Sequence, residues 1–518
     1  MGARIPPTSR SNDFLTMTAQ RTRGPDLGSG LSRRLHFHRL RLDARPGLRG
    51  VTRVRLSLVG VLAQGGLRFG TNLLIGHLGG PGALGASSTA IASAQLASLA
   101  GPTTSGSAAS KFVARSQGSG NFQEATLVAR YITRITVFLA LSLGLIASAL
   151  WPAPQIMWWS EDRLVVFLLV LGYSGYSVAR GVQFGSGHFW RGTKFDLVTS
   201  AMGILGVGVV LLMGAPPVLS LLPVALSMLA YSISGLVSEA EGTLSAELKS
   251  EIRMFLFLGV IGTLSSAGLL QGSVLIARQV DGIVGAGYYS SALTLATPIS
   301  LIAGSISLAL FPSLSHLHGS GDESALKKLT DITFRDMNAL IPLAFAPLVI
   351  CSSSLQHFVW GEAYASRDHA ALLPMLLLAC MANTLGVACT TTLTSRGPSG
   401  VRRSTIFGLA ATTLCALAWL TLTPLIELEG VALGYLMAAT LLWLLPVVSV
   451  WREGGHSWLG QVASILAAGG GMFGVATLAR QHGLPIQIGL TIAFWAIWWA
   501  VARPPIFRYL GMSRENST

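Results

Sequence analysis

Residues 54–85 read VRLSLVGVLAQGGLRFGTNLLIGHLGGPGALG and set the pattern for most of the chain. Apolar residues fill both ends of this stretch, and after Arg55 its only charged residue is Arg68. The run Gly79-Gly80-Pro81-Gly82 interrupts it with residues that favour a turn. About 20 mainly apolar residues suffice to cross a bilayer as a helix. The stretch therefore predicts one spanning helix, a tight turn and the start of a second helix.

The same alternation of apolar runs and short polar breaks continues to residue 502, which predicts an all-α polytopic membrane protein with about fourteen transmembrane helices. The 518 residues are 51% hydrophobic and 11% charged, with a mean hydropathy of +0.58. Soluble domains carry about 25% charged residues, so this composition excludes a soluble protein. The predicted spans are 54–78, 84–108, 126–151, 164–187, 197–214, 217–237, 254–277, 285–311, 337–359, 370–394, 404–425, 430–450, 458–479 and 485–502.

Positive charges in the predicted loops are concentrated on one side of the membrane. If the N-terminus is cytoplasmic, the outer loops hold only Arg163, Arg278, Arg367 and Arg480, whereas most of the other Lys and Arg residues fall in inner loops or in the N-terminal tail. Cytoplasmic loops of membrane proteins are enriched in Lys and Arg. The charge distribution therefore predicts that both the N-terminus and the C-terminus are cytoplasmic.

A polar break at 239–251 divides the first twelve spans into six and six. Since six is even, both halves begin on the same side of the membrane, which predicts parallel repeats related by an axis along the membrane normal. Residues 74–85 and 275–287 support the repeat, because both are Gly-rich hairpins that lead into Ser/Ala-rich helices. Chance likeness of such hairpins is the alternative. The predicted parts are a basic disordered cytoplasmic tail (1–53), an N-lobe (54–238), a cytoplasmic linker (239–253), a C-lobe (254–450), an extra helix pair (451–505) and a cytoplasmic tail (506–518).

The N-terminal tail is strongly basic. Twelve of the 36 Lys and Arg residues lie between Arg4 and Arg55, against three acidic residues there. We interpret the tail as a cytoplasmic segment attracted to anionic lipid headgroups, in preference to a nucleic-acid-binding arm, and we expect no nucleic-acid partner. An organelle transit peptide and a start codon assigned upstream of Met17 are further alternatives.

Arg68 is the clearest candidate for a binding residue. It lies fourteen residues into the first span, about 21 Å from the inner end at ~1.5 Å per residue. A charge placed so deep costs about 2.5–3.5 kcal/mol on insertion scales and requires a polar environment. A guanidinium matches the bidentate geometry of phosphate oxygens, so Arg68 is predicted to bind an anion. The alternative is that it snorkels to the outer headgroups.

Four further basic residues are candidate ligands of an anion. Arg134 and Arg180 either snorkel to phosphates of the inner leaflet or form a basic entrance to a cavity. Arg278 and His77 occupy analogous places near the two repeat hairpins, and the simpler interpretation of Arg278 is an ion pair with Asp281.

Absent residue types narrow the function further. No Asp or Glu falls inside a predicted span, whereas proton-coupled exporters of cations generally rely on buried carboxylates. The four cysteines lie in apolar stretches without ligand spacing, and no Walker motif is present, so we expect no metal, no cofactor and no direct use of ATP. A cavity with arginines and without carboxylates favours an anionic substrate.

Several motifs in order along the chain resemble those of one family. Residues 74–85 resemble a hydrophobic-basic-x-Leu-Gly-Pro-x-x-x-Gly hairpin that ends at Gly85, with His77 where an Arg is frequent. Residues 281–292 resemble an Asp…Gly…Gly-x-Tyr…Ala segment. In that segment the matching positions are Asp281, Gly285, Gly287 and Tyr288. Further matches follow in order along the chain: Pro312 in the Phe311–Leu314 motif, Gly321-Asp322, Trp360–Tyr364 and Glu429–Gly434. From 54 to 450 the chain resembles the polysaccharide-exporter (oligosaccharide flippase) family of the multidrug/oligosaccharidyl-lipid/polysaccharide exporter superfamily.

The resemblance implies a V-shaped transporter, not an enzyme, in the bacterial cytoplasmic membrane. By alternating access it would flip polyprenyl-pyrophosphate-linked oligosaccharides, precursors of cell-envelope polysaccharide, with Arg68 as a pyrophosphate ligand and the extra helices as a groove for the lipid tail. Membrane lipids and a polysaccharide polymerase or glycosyltransferases are the implied partners. The alternatives are a cation-coupled multidrug exporter of the same fold, a lipid II flippase and a non-transporting scaffold for cell-envelope enzymes.

Overall fold

The computed structural model describes residues 50–152, 160–237, 241–319, 321–364 and 369–502. These residues all belong to one compact unit within Leu40–Thr518. Every regular element of three or more residues in the described ranges is helical, which confirms the predicted all-α fold. The predictions for the basic tail up to residue 49 and for the C-terminal tail 506–518 lie outside the described residues.

Fourteen α-helices are present in these ranges. They are α1 (Gly50–Leu99), α2 (Pro102–Gly118), α3 (Phe122–Leu150), α4 (Glu161–Gly185), α5 (Phe189–Leu212), α6 (Leu222–Ser234), α7 (Ala246–Leu264), α8 (Ala267–Gly319), α9 (Glu323–Ile350), α10 (Ser352–Trp360), α11 (Leu372–Ser395), α12 (Pro398–Gly454), α13 (Leu459–Ala479) and α14 (Leu484–Ala502). Short 3-10 turns at Leu219–Leu221 and Glu362–Tyr364 complete the elements.

The three longest helices, α1, α8 and α12, are hairpins of two arms. Their helical backbone is interrupted at Gly80 (φ 72°), at Gly282 (φ 68°) and at Glu427 (φ 46°). The two arms of α12 lie against each other, as a hydrogen bond between them shows. The indole Nε1 of Trp419 donates to the carbonyl of Val431 at 3.0 Å. A straight 50-residue helix would be about 75 Å long, more than twice the ~30 Å apolar thickness of a bilayer.

In the described ranges, nine helices are long and apolar enough to cross a membrane, or ten if α7 and the start of α8 count as one bent span. Each hairpin supplies two crossings, α2 continues the second arm of α1, and α7 continues into α8 across a bend of 46°. The nine residues of α10 are too few to cross. We call the end of the bundle that holds Gly80, Gly282 and Glu427 the hairpin end, and the opposite end the tail end.

Several helices extend beyond the spans predicted from hydropathy. The predicted ninth span, 337–359, is wrong in its bounds, because α9 runs from Glu323 to Ile350 and α10 is a separate helix. Helix α7 begins at Ala246, within the stretch assigned to the linker. Hydropathy locates only the apolar part of a helix, whereas the polar first turns here are stabilised by caps. At α9, for example, the carboxylate of Asp322 accepts the backbone N–H of Ala325 at 2.9 Å.

The two lobes contact each other mainly through α1 and α8 at the hairpin end. A Cβ atom at Gly85 would overlap the carbonyl oxygen of Ile283, and a Cβ atom at Gly287 would overlap the carbonyl oxygen of Pro81. The same separation along the sequence relates Gly85 to Gly287 and Pro81 to Ile283. It also relates the helix breaks at Gly80 and Gly282. The contact is thus reciprocal, as expected for a pseudo-two-fold axis between parallel repeats.

Helices α13 and α14 pack on α9, where tryptophans carry the contact. Trp458, which is fully buried, stacks on Phe334 with ring centroids 4.0 Å apart, and its Nε1 donates to Asp331 at 2.6 Å. On α14, Nε1 of Trp498 donates to the carbonyl of Ala339 at 2.9 Å. These contacts attach the C-terminal pair to the C-lobe.

We expect Trp458→Ala to loosen the C-terminal pair, because the change removes the stack on Phe334 and the hydrogen bond to Oδ1 of Asp331. Replacing a buried Trp by Ala typically costs about 3–5 kcal/mol. Limited proteolysis between α12 and α13 and thermal denaturation in detergent measure the effect. Trp499→Ala is the matched control because Trp499 is exposed. Equal behaviour of the two variants would contradict this prediction.

Candidate functional site

A cavity of about 260 Å³ lies in the N-lobe next to the interface with the C-lobe. Both arms of α1 form it together with α4, α6 and the start of α8. Arg68 is the only charged residue among those that line it, and the polar lining residues are Gln64, Thr71, Gln95, Ser98, Thr103, Tyr173, Tyr176, Ser177 and Gln271. Gln64 lies one helical turn before Arg68, so both side chains lie on the same face of α1. The cavity thus presents one cation among amides and hydroxyls.

The guanidinium of Arg68 has no hydrogen bond or ion pair with any residue in the described ranges. Tyr173 of α4 lines the same cavity. Arg68 also lines a small crevice that extends to α8, beside the hydrogen bond of 2.8 Å from the amide of Asn72 to the hydroxyl of Thr294. Arg68 therefore lies where the two lobes meet.

Arg180 lies behind the wall of this cavity and is neutralised by a carboxylate. Its Nε is 3.5 Å from Oδ2 of Asp196, and its guanidinium lies over the ring of Phe184 at 4.7 Å. Asp196 is fully buried and also accepts hydrogen bonds from Tyr176 at 3.1 Å and from Gln64 at 3.3 Å. Since Tyr176 and Gln64 themselves line the cavity, the ion pair supports the cavity wall and does not face the cavity.

The predicted spans hold no Asp or Glu, but the folded bundle places the carboxylate of Asp196 in its interior. The predicted fifth span began at 197, whereas α5 begins at Phe189 and carries Asp196 into the interior. Hydropathy did not assign Asp196 to the span, because the first turns of α5 are polar. The sequence did give one indication that Asp196 belongs to the helix, because it lies only one residue before the predicted span.

We expect Asp196→Ala to destabilise the N-lobe by about 3 kcal/mol, because it leaves the guanidinium of Arg180 without a counter-charge. The double variant Arg180→Ala/Asp196→Ala should recover part of this loss, since no charge then stays unpaired. Thermal denaturation of the purified variants in detergent measures both values. Glu161→Ala, at an exposed acid, is the control. A double variant as unstable as the sum of the two single variants would exclude coupling between the residues.

Three other predicted ligands lie away from Arg68. Arg134 is exposed on α3 beside Phe138, on the outer surface of the bundle. Arg278 lines a separate cleft, where its guanidinium lies over the ring of Trp151 at 4.8 Å. It forms no ion pair with Asp281 in the described ranges. His77 is exposed, and its Nδ1 lies 2.9 Å from the carbonyl oxygen of Leu73.

The motif residues of the α1 and α8 hairpins meet at the hairpin end, whereas Pro312 and Gly321-Asp322 lie toward the tail end. Asp281 folds over Gly285 and lies 3.8 Å from Nε2 of His369, whose ring contacts Tyr288 at 5.1 Å. A Cβ atom at Gly285 would meet Asp281 of its own helix, whereas a Cβ atom at Gly287 would meet Pro81 of the N-lobe. Pro312 lies within the second arm of α8.

Aromatic residues of α10 and the turn after it complete the closure of the hairpin end. Nε1 of Trp360 donates to the carbonyl of Ser291 at 3.2 Å, and the indole packs on Gly76 and stacks on His77. The hydroxyl of Tyr364 donates to the carbonyl of Gly76 at 3.1 Å. This part of the C-lobe thereby holds the first arm of α1.

Comparison with known proteins gives a likeness in structure but none in sequence. No protein-family model and no curated protein matches the chain. An inward-facing multidrug resistance MATE family transporter of the MOP superfamily superposes with a TM-score of 0.60 at 14% identity, over 78% of this chain and 98% of the other. An outward-facing MATE structure gives 0.55 at 15% identity, over 80% and 97%.

A third structure is a MOP superfamily transporter from Pyrococcus furiosus, whose description reads "reverse polarity of binding pocket suggests different function". It gives a TM-score of 0.55 at 15% identity, over 80% of this chain and 97% of the other. At these identities the likeness establishes the fold alone. The chain has the fold of MOP superfamily transporters.

Proposed function

We propose that this protein is a flippase for a polyprenyl-pyrophosphate-linked oligosaccharide and that it works by alternating access between the two lobes. The hairpin end faces the outside of the cytoplasmic membrane of a bacterium, and both termini lie in the cytoplasm. The positive charges of the tail-end loops support this orientation. The saccharide headgroup crosses through the space between the lobes, and the prenyl chain stays in lipid.

The observation that carries the proposal is the unpaired guanidinium of Arg68 in a cavity that holds no other charged lining residue. A half-buried cation without a counter-ion is costly inside a membrane protein, and an anionic ligand supplies the missing charge. The fork of the guanidinium matches two phosphate oxygens, while Gln64, Gln95 and Gln271 offer amide donors for further oxygens.

The size of the cavity indicates which part of the ligand it receives. Its volume of about 260 Å³ is below the range of cavities that enclose a drug-sized molecule, about 300–1,000 Å³. We assign it to the pyrophosphate alone, with the sugar and the prenyl chain outside it. The pair Arg180–Asp196 keeps the adjacent wall neutral, so Arg68 supplies the positive charge of the cavity.

Reconstitution into vesicles tests the proposal. Purified protein in liposomes that carry a fluorescent polyprenyl pyrophosphate saccharide on one leaflet should accelerate its appearance on the other leaflet. Protein-free vesicles and vesicles with an unrelated transporter are the controls. A flipping rate equal to that of the controls, with correctly inserted protein, would contradict the proposed function.

A cation-coupled multidrug exporter of the same fold is the second candidate. The fold is shared with MATE transporters, and Asp196 is a buried carboxylate behind the cavity. The ion pair between Asp196 and Arg180 is evidence against a cation exporter, because the paired carboxylate is not available to attract a cation. Uptake of organic cations by the same vesicles under a proton or sodium gradient would favour this candidate.

A further inference from the structure

A second polar cavity, of about 390 Å³, lies in the C-lobe between α7, α11 and both arms of α12. Hydroxyl and amide groups of α7, the bend after it, α11 and the first arm of α12 line it, and none of its lining residues is charged. They include Thr263, Ser266, Asn383, Thr390, Thr394 and Ser404. It therefore differs from the Arg68 cavity in lacking a cation.

The hydrogen bonds of this C-lobe cavity leave several polar groups available. The hydroxyls of Ser266 and Thr394 donate to carbonyls of their own helices at 2.7 and 2.9 Å, so their lone pairs can still accept. The hydroxyls of Thr390 and Ser404 have no partner in the described ranges. Asn383 donates to the hydroxyl of Tyr435 at 3.0 Å, which leaves its carbonyl oxygen to accept.

These groups fit a neutral ligand rich in hydroxyls. Sugar hydroxyls both donate and accept, and each can pair with a threonine, a serine or an amide. A cation would find acceptors here but no carboxylate to balance its charge, and a buried unbalanced charge is costly. An anion would find no cation. The lining thus selects against charge of either sign.

The two cavities are adjacent across the bend between α7 and α8. Thr263 and Ser266 line the C-lobe cavity, whereas Ala267 and Gln271, directly after the bend, line the Arg68 cavity. Thr263 also donates to the carbonyl of Leu99, which lines the Arg68 cavity, at 3.2 Å. One ligand with an anionic and a neutral part can therefore occupy both cavities around this bend.

We propose that the C-lobe cavity binds the sugar adjacent to the pyrophosphate, while Arg68 binds the pyrophosphate in the N-lobe. This inference rests on the proposed function and adds to it a division of the headgroup between the lobes. It assigns sugar recognition to Asn383, Thr390, Thr394 and Ser404. If both lobes bind the headgroup, binding of the complete headgroup depends on how the two lobes are positioned relative to each other.

Binding of two lipids to the full-length protein in detergent tests the assignment. The probes are a polyprenyl pyrophosphate and the same lipid carrying one N-acetylhexosamine. We expect wild-type protein to bind the sugar-bearing lipid about tenfold more tightly, the effect of one or two additional hydrogen bonds. The variant Thr390→Val/Thr394→Val/Ser404→Ala should lose this preference and keep its affinity for the bare lipid. Thr413→Val/Thr421→Val, at exposed threonines of α12, is the matched control.

Failure of this inference can be told apart from failure of the proposed function. If wild-type protein has no preference, or if the triple variant keeps it, the sugar does not bind in the C-lobe cavity and the inference is overturned. In both cases Arg68→Ala should still weaken binding of the two lipids equally. If neither lipid binds wild-type protein, the proposed function fails, and this inference fails with it.

Discussion

Replacing Arg68 by alanine should reduce transport of the lipid-linked saccharide to the level of protein-free vesicles while leaving the amount of inserted protein unchanged. The guanidinium has no partner among the described residues, so its removal leaves no protein group unsatisfied. A hydrogen bond to a charged group contributes about 1.5–3 kcal/mol, so loss of the bidentate contact should weaken pyrophosphate binding about tenfold to a hundredfold or more. Binding of the bare polyprenyl pyrophosphate measures this step separately from transport.

Two further variants make the Arg68 result specific. Arg68→Lys keeps the charge but loses the planar fork, and we expect intermediate binding. Arg134→Ala removes an arginine on the exposed face of α3 and should bind and transport as wild type does. Normal transport by Arg68→Ala would exclude the assigned role. An equal loss in Arg134→Ala would point to a general effect of positive charge.

Replacing Gly85 by valine should prevent stable assembly of the two lobes. Its side chain would overlap the carbonyl oxygen of Ile283 and approach the amide nitrogen of Gly287, which a Cβ alone would meet at 2.8 Å. Backbone atoms cannot rotate away as a flexible side chain does, so the lobes must separate. We expect destabilisation of about 3 kcal/mol or more, seen as lower thermal stability and aggregation in size-exclusion chromatography in detergent.

The reciprocity of the lobe contact supplies an internal control for Gly85. Gly287→Val should have the same effect, because Gly287 faces the carbonyl of Pro81 in the equivalent way. Gly66→Val lies in the same helix as Gly85 but meets open space, so it should be tolerated. A stable, monodisperse Gly85→Val protein would show that the lobes do not pack through this contact.

Much of the fold follows from the sequence because hydropathy registers the apolar part of each helix independently of packing. The succession of apolar helices and the turn at Gly79–Gly82 were predictable in this way. The ends of helices were not, since polar turns such as Glu323–Arg335 of α9 continue the helix beyond its apolar part. Caps such as Asp322 then fix ends that composition alone leaves open.

Less of the site was predictable. Arg68 could be chosen because a lone charge in an apolar run must lie in a polar environment, and the structure places it in a cavity. The pairing of Arg180 with Asp196 could not be predicted, because it joins residues on different helices whose relative rotation depends on packing. For the same reason the stacking of Arg278 on Trp151, from different lobes, was not apparent from either segment.

The reciprocal contact of Gly85 and Gly287 also has a consequence for assembly. Two separate copies of a six-helix half could form the same contact, but only as a homodimer whose population falls on dilution. Within one polypeptide the two halves are held at a high effective concentration, and their association no longer depends on the expression level. The two halves are then free to diverge, as Arg68 on one side and the uncharged C-lobe cavity on the other illustrate.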